Sequence, residues 1–226
     1  MIAQLANRGF GHGTGSLSPD CAQFVLNMPK NASSYMLDWA GRHGWTMATV
    51  GDSCSWDQVQ EMIVVLRDPL DRWISGIAQY LNTYILSVVG PNGPVYNISD
   101  STAYDKKLTA EEWIEQYNQA TERVIFDLIS RFDDHTWPQR ELFEDLLPNV
   151  NRKYFYLDRD FDTTISAYLN FDPYVDLDRN QSNASQDIQK LQEFFRHRLN
   201  IRPELEQRVR KAYAQDYELI KQVFNQ

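Results

Sequence analysis

A lysine and two serines stand where a short apolar segment gives way to a helical pattern. The loop is Pro29-Lys30-Asn31-Ala32-Ser33-Ser34, after the apolar residues 21–28 and at the start of a predicted helix over residues 31–44. The first amides of a helix lack intrahelical partners and can bind an anion, and Lys30 adds a positive charge. The loop departs from the GxxxxGK(S/T) pattern of nucleoside triphosphatases. We expect a phosphate-binding loop, with Ser33 and Ser34 as simple helix caps as the alternative.

An arginine and a serine follow the most apolar strand-like segment of the chain. Arg67 comes directly after MIVVL, and Ser75 lies eight residues further on, two turns into a predicted helix. The carboxyl end of a parallel strand is the usual ligand side of a sheet, and a planar guanidinium can bind two phosphate oxygens at once. Arg67 and Ser75 therefore suit a phosphate monoester. The alternative is a surface ion pair, either Arg67 with Asp71 or Asp68 with Arg72.

Together the two motifs resemble those of the sulfotransferases that use 3'-phosphoadenosine 5'-phosphosulfate (PAPS). The stretch FVLNMPKNASSYM is similar to their 5'-phosphosulfate loop, and VVLRDPLDRWISG is similar to their 3'-phosphate motif. The likeness is closest to the carbohydrate sulfotransferases and their soluble bacterial and viral relatives. Residues 134–139 (DHTWPQ) resemble the D-x-H-W-x-P segment of that branch, and residues 213–224 resemble its closing helix. Tyr35 departs from the pattern, because a small hydroxyl residue often follows the serine pair.

The resemblance implies a sulfuryl transfer from PAPS to an acceptor hydroxyl by in-line displacement, without a metal. It places Lys30 at the bridging oxygen and the departing phosphate. Arg67 and Ser75 would hold the 3'-phosphate. A polar loop over residues 180–185 would close over the nucleotide, although the same residues could be a turn and a helix cap. The nucleotide-binding residues implied in this way are Lys30, Asn31, Ala32, Ser33, Ser34, Arg67, Ser75, Ser182 and Asn183.

The acceptor hydroxyl must lose a proton as it attacks, and histidine is the side chain whose pKa lies nearest neutral pH. The chain has four histidines, at positions 12, 43, 135 and 197. His135 follows a predicted long helix and coincides with the family segment, so we expect it to be the general base. The alternatives are a structural role for His135 and a carboxylate base, Asp134 or Glu141.

Apolar segments alternate with amphipathic patterns along the chain, which predicts an α/β fold with a central parallel sheet of about four or five strands flanked by helices. The resemblance refines this to a P-loop-like three-layer fold. The predicted strands are residues 21–28, 46–50, 62–66 and 153–157. The predicted helices are residues 31–44 and 70–89, a long one from a Thr109/Glu112 capping box to Leu128, residues 185–199 and residues 203–224.

Length and composition favour a single domain over residues 1–226, which the resemblance implies is sulfotransferase-like, with a flexible segment at residues 1–20 and a surface insertion at residues 90–108. The net charge of −9 argues against binding to nucleic acid or to an anionic membrane surface. No apolar stretch exceeds five residues, so no transmembrane helix is expected. Cys21 and Cys54 are too few for a disulfide framework or a zinc site, and no secretory signal precedes them. These features predict a cytoplasmic protein.

The acidic charge is concentrated in the middle of the chain. Residues 95–150 carry 5 basic and 12 acidic side chains. By resemblance this part holds the acceptor side, so we expect a neutral or cationic acceptor, such as a neutral carbohydrate or a small molecule. Two other functions stay open: a P-loop-like kinase, and a nucleotide-binding module without turnover.

Overall fold

The computed structural model describes residues 13–51, 56–82, 89–90, 93–94, 109–132, 134–171 and 186–224. The strands are β1 (Thr14–Leu17), β2 (Gln23–Leu26), β3 (Thr46–Thr49), β4 (Glu61–Leu66), β5 (Val89–Gly90), β6 (Gly93–Pro94) and β7 (Asn151–Tyr156). The helices are α1 (Ser33–Arg42), α2 (Pro69–Tyr80), α3 (Ala110–Gln116), α4 (Gln119–Leu128), α5 (Gln139–Phe143), α6 (Phe161–Leu169), α7 (Gln186–Ile201), α8 (Pro203–Ala212) and α9 (Ala214–Phe224).

Five strands form one mixed sheet in the order β3-β1-β2-β4-β7. The expected α/β class is confirmed, but the expected all-parallel sheet is wrong in part. Strands β2, β4 and β7 run parallel, whereas β1 pairs antiparallel with both β2 and β3. For β1 and β2 the reason is a tight turn in which the Ser18 N–H donates to the carbonyl of Gln23 at 2.9 Å. A turn this short can join only antiparallel neighbours.

Residues 14–17 therefore belong to the sheet and not to a flexible N-terminal segment. Strand β1 lies so close to β2 that a Cβ on Gly15 would come within 3.0 Å of the Val25 carbonyl oxygen. Only glycine fits at this position. Residues 1–12 and most of the predicted insertion at residues 90–108 lie outside the described residues; within the latter, β5 and β6 pair antiparallel.

Helices cover both faces of the sheet. On one face, α1 and α6 pack Trp39 and Phe161 into a core with Val25, Ile63 and Phe155. On the other face, α5 and α9 cover a second core formed by the alternate residues of the same strands. Helices α2, α3, α4, α7 and α8 build a third core beside the sheet. The result is a three-layer domain with an added helical cluster.

Two predicted long helices are each divided in the structure. The Thr109/Glu112 capping box is present at the start of α3, as expected. The pattern then breaks at Asn118, whose side-chain oxygen accepts from the N–H groups of Ala120 at 2.9 Å and Thr121 at 3.1 Å and so begins α4. The C-terminal pattern is divided at Tyr213 between α8 and α9. Of the helices in the described ranges, none has both the length and the apolar character needed to span a membrane.

Candidate functional site

The carboxyl ends of the three parallel strands β2, β4 and β7 open onto one cavity of about 720 Å³. Lys30 follows β2, Arg67 follows β4, and Tyr156 and Asp158 stand at the end of β7. Cavities of this size accept drug-sized ligands and cofactors. In parallel α/β sheets this edge is where ligands bind.

Both motifs identified in the sequence line this single cavity. From the first motif, Lys30, Ala32, Ser33 and Ser34 contribute to its wall, and from the second, Arg67 and Ser75 do so. Asn31 does not contribute to the wall. Ser182 and Asn183 lie outside the described residues. The structure thus brings together groups from two chain segments that the resemblance assigns to two different phosphates.

The loop between β2 and α1 has an uncommon backbone. Lys30 has a φ of 66° and Ala32 a φ of 58°, in the left-handed region that non-glycine residues seldom adopt. Two guanidinium groups hold this loop through its carbonyl oxygens. Arg72 Nε donates to the Pro29 carbonyl at 3.2 Å, and Arg67 Nη1 donates to the Lys30 carbonyl at 3.1 Å. Strained residues of this kind concentrate at ligand sites, where the surrounding structure holds them in place.

The N-terminus of α1 supplies amide donors at the cavity. The helix begins at Ser33, and its N-cap residue, Ala32, has no side-chain acceptor. Ser33 and Ser34 are therefore the first two helical residues and not helix caps, which removes the alternative considered from the sequence. An N-terminus without a side-chain cap is suited to an anion, because its amides and the helix dipole both attract negative charge.

The charges in the cavity wall are mixed. Three cationic side chains line it, and so do four carboxylates: Lys30, Arg67 and Arg159, with Asp68, Asp71, Asp158 and Asp162. Lys30 Nζ donates to Gln79 Oε1 at 3.0 Å, which directs the ammonium group along α2. Burial lowers the pKa of Arg67, and the charge of Asp71 opposes this effect. Arg67 is therefore a half-buried cation that an anionic ligand would stabilise.

Tyr35 and Asp162 connect the two helices that begin at the cavity. The Tyr35 hydroxyl, in the first turn of α1, donates to Asp162 Oδ1 in the first turn of α6. Both side chains are buried and line the cavity. The departure from the family pattern at Tyr35 thus has a structural partner. Asp162 was missed in the sequence because it belongs to no motif; its only signal is its place shortly after a predicted strand.

His135, the expected general base, does not line this cavity. Its Nδ1 lies 3.2 Å from Asp134 Oδ1, and its backbone packs against Gly76 of α2. Burial raises the pKa of Asp134, but the hydrogen bond and charge of His135, with the charge of Arg72, outweigh it and lower the pKa overall. The reserve candidates Asp134 and Glu141 also lie outside the cavity wall. The carboxylates that do line it are the four named above.

Of the two surface ion pairs that were the alternative for the second motif, the pair of Asp68 with Arg72 is wrong. Arg72 is fully buried, and its guanidinium donates to the carbonyl oxygens of Pro29, Asp134 and Trp137. Asp68 instead caps α2 by accepting from the Asp71 N–H at 2.9 Å. Arg72 therefore ties α2 to the loop after β2 and to the segment that carries His135.

Comparisons of the chain with models of protein families, with curated proteins and with solved structures found no match. Within the described ranges, no group of three or more histidine, cysteine, aspartate or glutamate side chains is arranged to hold a metal ion. The functional argument accordingly depends on the geometry of the cavity.

Proposed function

We propose that the protein is a PAPS-dependent sulfotransferase that transfers a sulfuryl group to an acceptor hydroxyl of a carbohydrate or another small molecule. One observation carries the proposal. Two separate sets of groups that are suited to anions, the loop with Lys30 and the pair Arg67 and Ser75, line the same cavity at the carboxyl edge of the sheet. A nucleotide with phosphates at two positions has the chemistry to engage both groups at once.

On the 5' side, the uncapped N-terminus of α1 and the hydroxyls of Ser33 and Ser34 would hold the phosphate that leaves. Lys30 would neutralise the charge that develops on the bridging oxygen, which is the main task of a protein in such a displacement. Its hydrogen bond to Gln79 supports this role because it restricts the ammonium group to the cavity side of α2.

On the 3' side, Arg67 offers a planar fork that binds two phosphate oxygens, and Ser75 adds a hydroxyl donor. This second phosphate distinguishes PAPS from nucleotides such as ATP. The partial burial of Arg67 supports the assignment, since hydrogen bonds to a phosphate would compensate for the hydration that the guanidinium loses.

The acceptor proton needs a base near the cavity. His135 is supported by the resemblance, whereas the carboxylates of the cavity wall, among them Asp71 and Asp158, are supported by their position. The same carboxylates would repel a heavily sulfated acceptor, so we propose a neutral or cationic one. We also propose that no metal takes part and that the enzyme works in the cytoplasm.

The test is a thermal shift with 3',5'-adenosine bisphosphate (PAP), followed by transfer of labelled sulfate from PAPS. PAP at about 100 times its Kd should stabilise the fold by about 2.7 kcal/mol, which raises Tm by about 5–10 °C for a chain of this size. Lys30→Ala and Arg67→Ala should each weaken PAP binding by about 10-fold to 100-fold, because each removes a charged hydrogen-bond donor. Arg42→Ala, at the far end of α1, is the matched control and should bind PAP normally.

Other outcomes would favour the other functions. Absence of any shift at saturating PAP contradicts the proposal, and a shift with ATP and Mg²⁺ in its place favours a kinase. Normal PAP binding without transfer to a broad panel of hydroxyl acceptors favours a nucleotide-binding module without turnover.

A further inference from the structure

We propose that Gln139 is a positioning residue that fixes the Arg67 backbone and thereby sets recognition of the 3'-phosphate. The inference rests on the proposed function, in which Arg67 binds that phosphate. Gln139 is fully buried at the start of α5 and does not line the cavity. Its effect on the ligand would therefore pass through Arg67.

The amide of Gln139 binds both polar groups of the Arg67 backbone. Its Oε1 accepts from the Arg67 N–H at 2.9 Å, and its Nε2 donates to the Arg67 carbonyl at 2.9 Å. Arg67 lies beyond the paired part of the sheet, since the register of β4 with β7 ends at Leu66 opposite Tyr156. Gln139 thus supplies to the Arg67 backbone the two hydrogen bonds that a neighbouring strand would otherwise make.

The same amide reaches the other motif through Asn31. Asn31 Nδ2 donates to Gln139 Oε1 and also to the Val65 carbonyl, the latter at 2.7 Å. This explains why Asn31, expected at the nucleotide, is buried beneath the loop. The orientation of both amides is determined, because the Arg67 backbone requires an acceptor at one Gln139 atom and a donor at the other.

Gln139 is itself held by groups from the C-terminal half. Asp216 of α9 accepts from the N–H of Gln139 at 2.7 Å and from the N–H of Arg140 at 2.9 Å, and so caps α5. Tyr213 donates to the Thr136 carbonyl just before it. The Gln139 backbone is thus held by Asp216, and its side-chain amide is held by Arg67 and Asn31. A side chain fixed in this way can align a ligand-binding group accurately.

The experiment measures the contribution of the 3'-phosphate as the ratio of two dissociation constants, that of adenosine 5'-phosphate over that of PAP. In Gln139→Leu the Arg67 backbone loses both partners, and we expect PAP binding to weaken by about 10-fold or more while adenosine 5'-phosphate changes by less than about 3-fold. The ratio should approach that of Arg67→Ala. Gln139→Glu keeps the size and the acceptor but faces the Arg67 carbonyl with an oxygen, and it should lower the ratio in the same direction.

The control is Leu142→Ala, a core substitution in the same helix. It should lower stability and leave the ratio unchanged. A ratio that stays at the wild-type value in both Gln139 variants would overturn the inference and leave the proposed function intact. A wild-type protein that binds PAP no better than adenosine 5'-phosphate would instead overturn the 3'-phosphate site itself. Should Gln139→Leu fail to fold, Gln139→Glu carries the measurement.

Discussion

Replacing Gly76 by alanine tests how tightly α2 packs against the segment that carries His135. A Cβ at this position would lie under 3.0 Å from the backbone carbonyl of His135, a separation that real Cβ atoms essentially never show. The carbonyl cannot move away easily. Arg72 donates to the Asp134 carbonyl at 3.0 Å, and Tyr213 donates to the Thr136 carbonyl, so both neighbours of His135 are held.

The size of the effect follows from two opposing contributions. Glycine to alanine inside a helix favours folding by about 1 kcal/mol, and forcing extra volume into a packed interior costs about 1–3 kcal/mol. Because the obstacle at Gly76 is backbone, we expect the upper part of that cost and a net loss of about 1–2 kcal/mol. This corresponds to a Tm lower by about 2–8 °C in a chain of this length.

Gly41 provides the matched control. It lies in α1, is exposed, and a Cβ there would meet nothing within 4 Å. Gly41→Ala should raise stability by about 0.5–1 kcal/mol, because only the helix preference acts. Both variants are measured by thermal and denaturant unfolding. If Gly76→Ala proves as stable as Gly41→Ala, the close packing of α2 on the His135 backbone is refuted.

Two further predictions concern carboxylates with side-chain partners, the buried Asp162 and the half-buried Asp134. Tyr35→Phe removes a hydroxyl donor from Asp162 and should lower the free energy of unfolding by about 1–3 kcal/mol, whereas Tyr168→Phe, at a partly exposed site, should change it far less. The pKa of Asp134 is lowered, so its contribution to stability is present above the unfolded value of about 3.9 and is lost as the pH falls through the folded value. His135→Ala removes the hydrogen bond and charge of His135 that lower this pKa, so the folded pKa should move up toward or past the unfolded value and this part of the acid destabilisation should shrink; a carboxyl NMR titration with the Asp134 pKa unmoved would contradict this.

The cation-bearing loops could be located from the sequence because the physics that places them is local. Lys30 and Arg67 each follow an apolar segment that had to be a buried strand, and the carboxyl ends of parallel strands meet at one edge. The direction of Asn31 could not be predicted. It depends on left-handed backbone angles at Lys30 and Ala32. Lysine and alanine seldom adopt such angles, so the residue types alone do not predict them.

The rest of the site depends on contacts between distant segments. Strand β7 was predicted, but its place beside β4 was not, and that place alone brings Tyr156 and Asp158 to the cavity. In the same way, the segment 134–139 drew attention because of His135, and nothing in the sequence indicated that Gln139 is the fully buried residue that binds the Arg67 backbone. A sequence motif marks a segment, whereas the packing of α2 and α9 decides which of its side chains faces the site.

The pairing of β4 with β7 joins strands that are separated by the whole stretch between Leu66 and Asn151, which includes α2 through α5. Contacts of such high sequence separation form late in folding, because the entropy of closing the loop must be overcome first. The Asp216 cap on α5 adds a requirement from the last helix. The cavity is therefore complete only when the chain through α9 has been synthesised and folded, so a nascent or partly folded chain lacks the finished cavity.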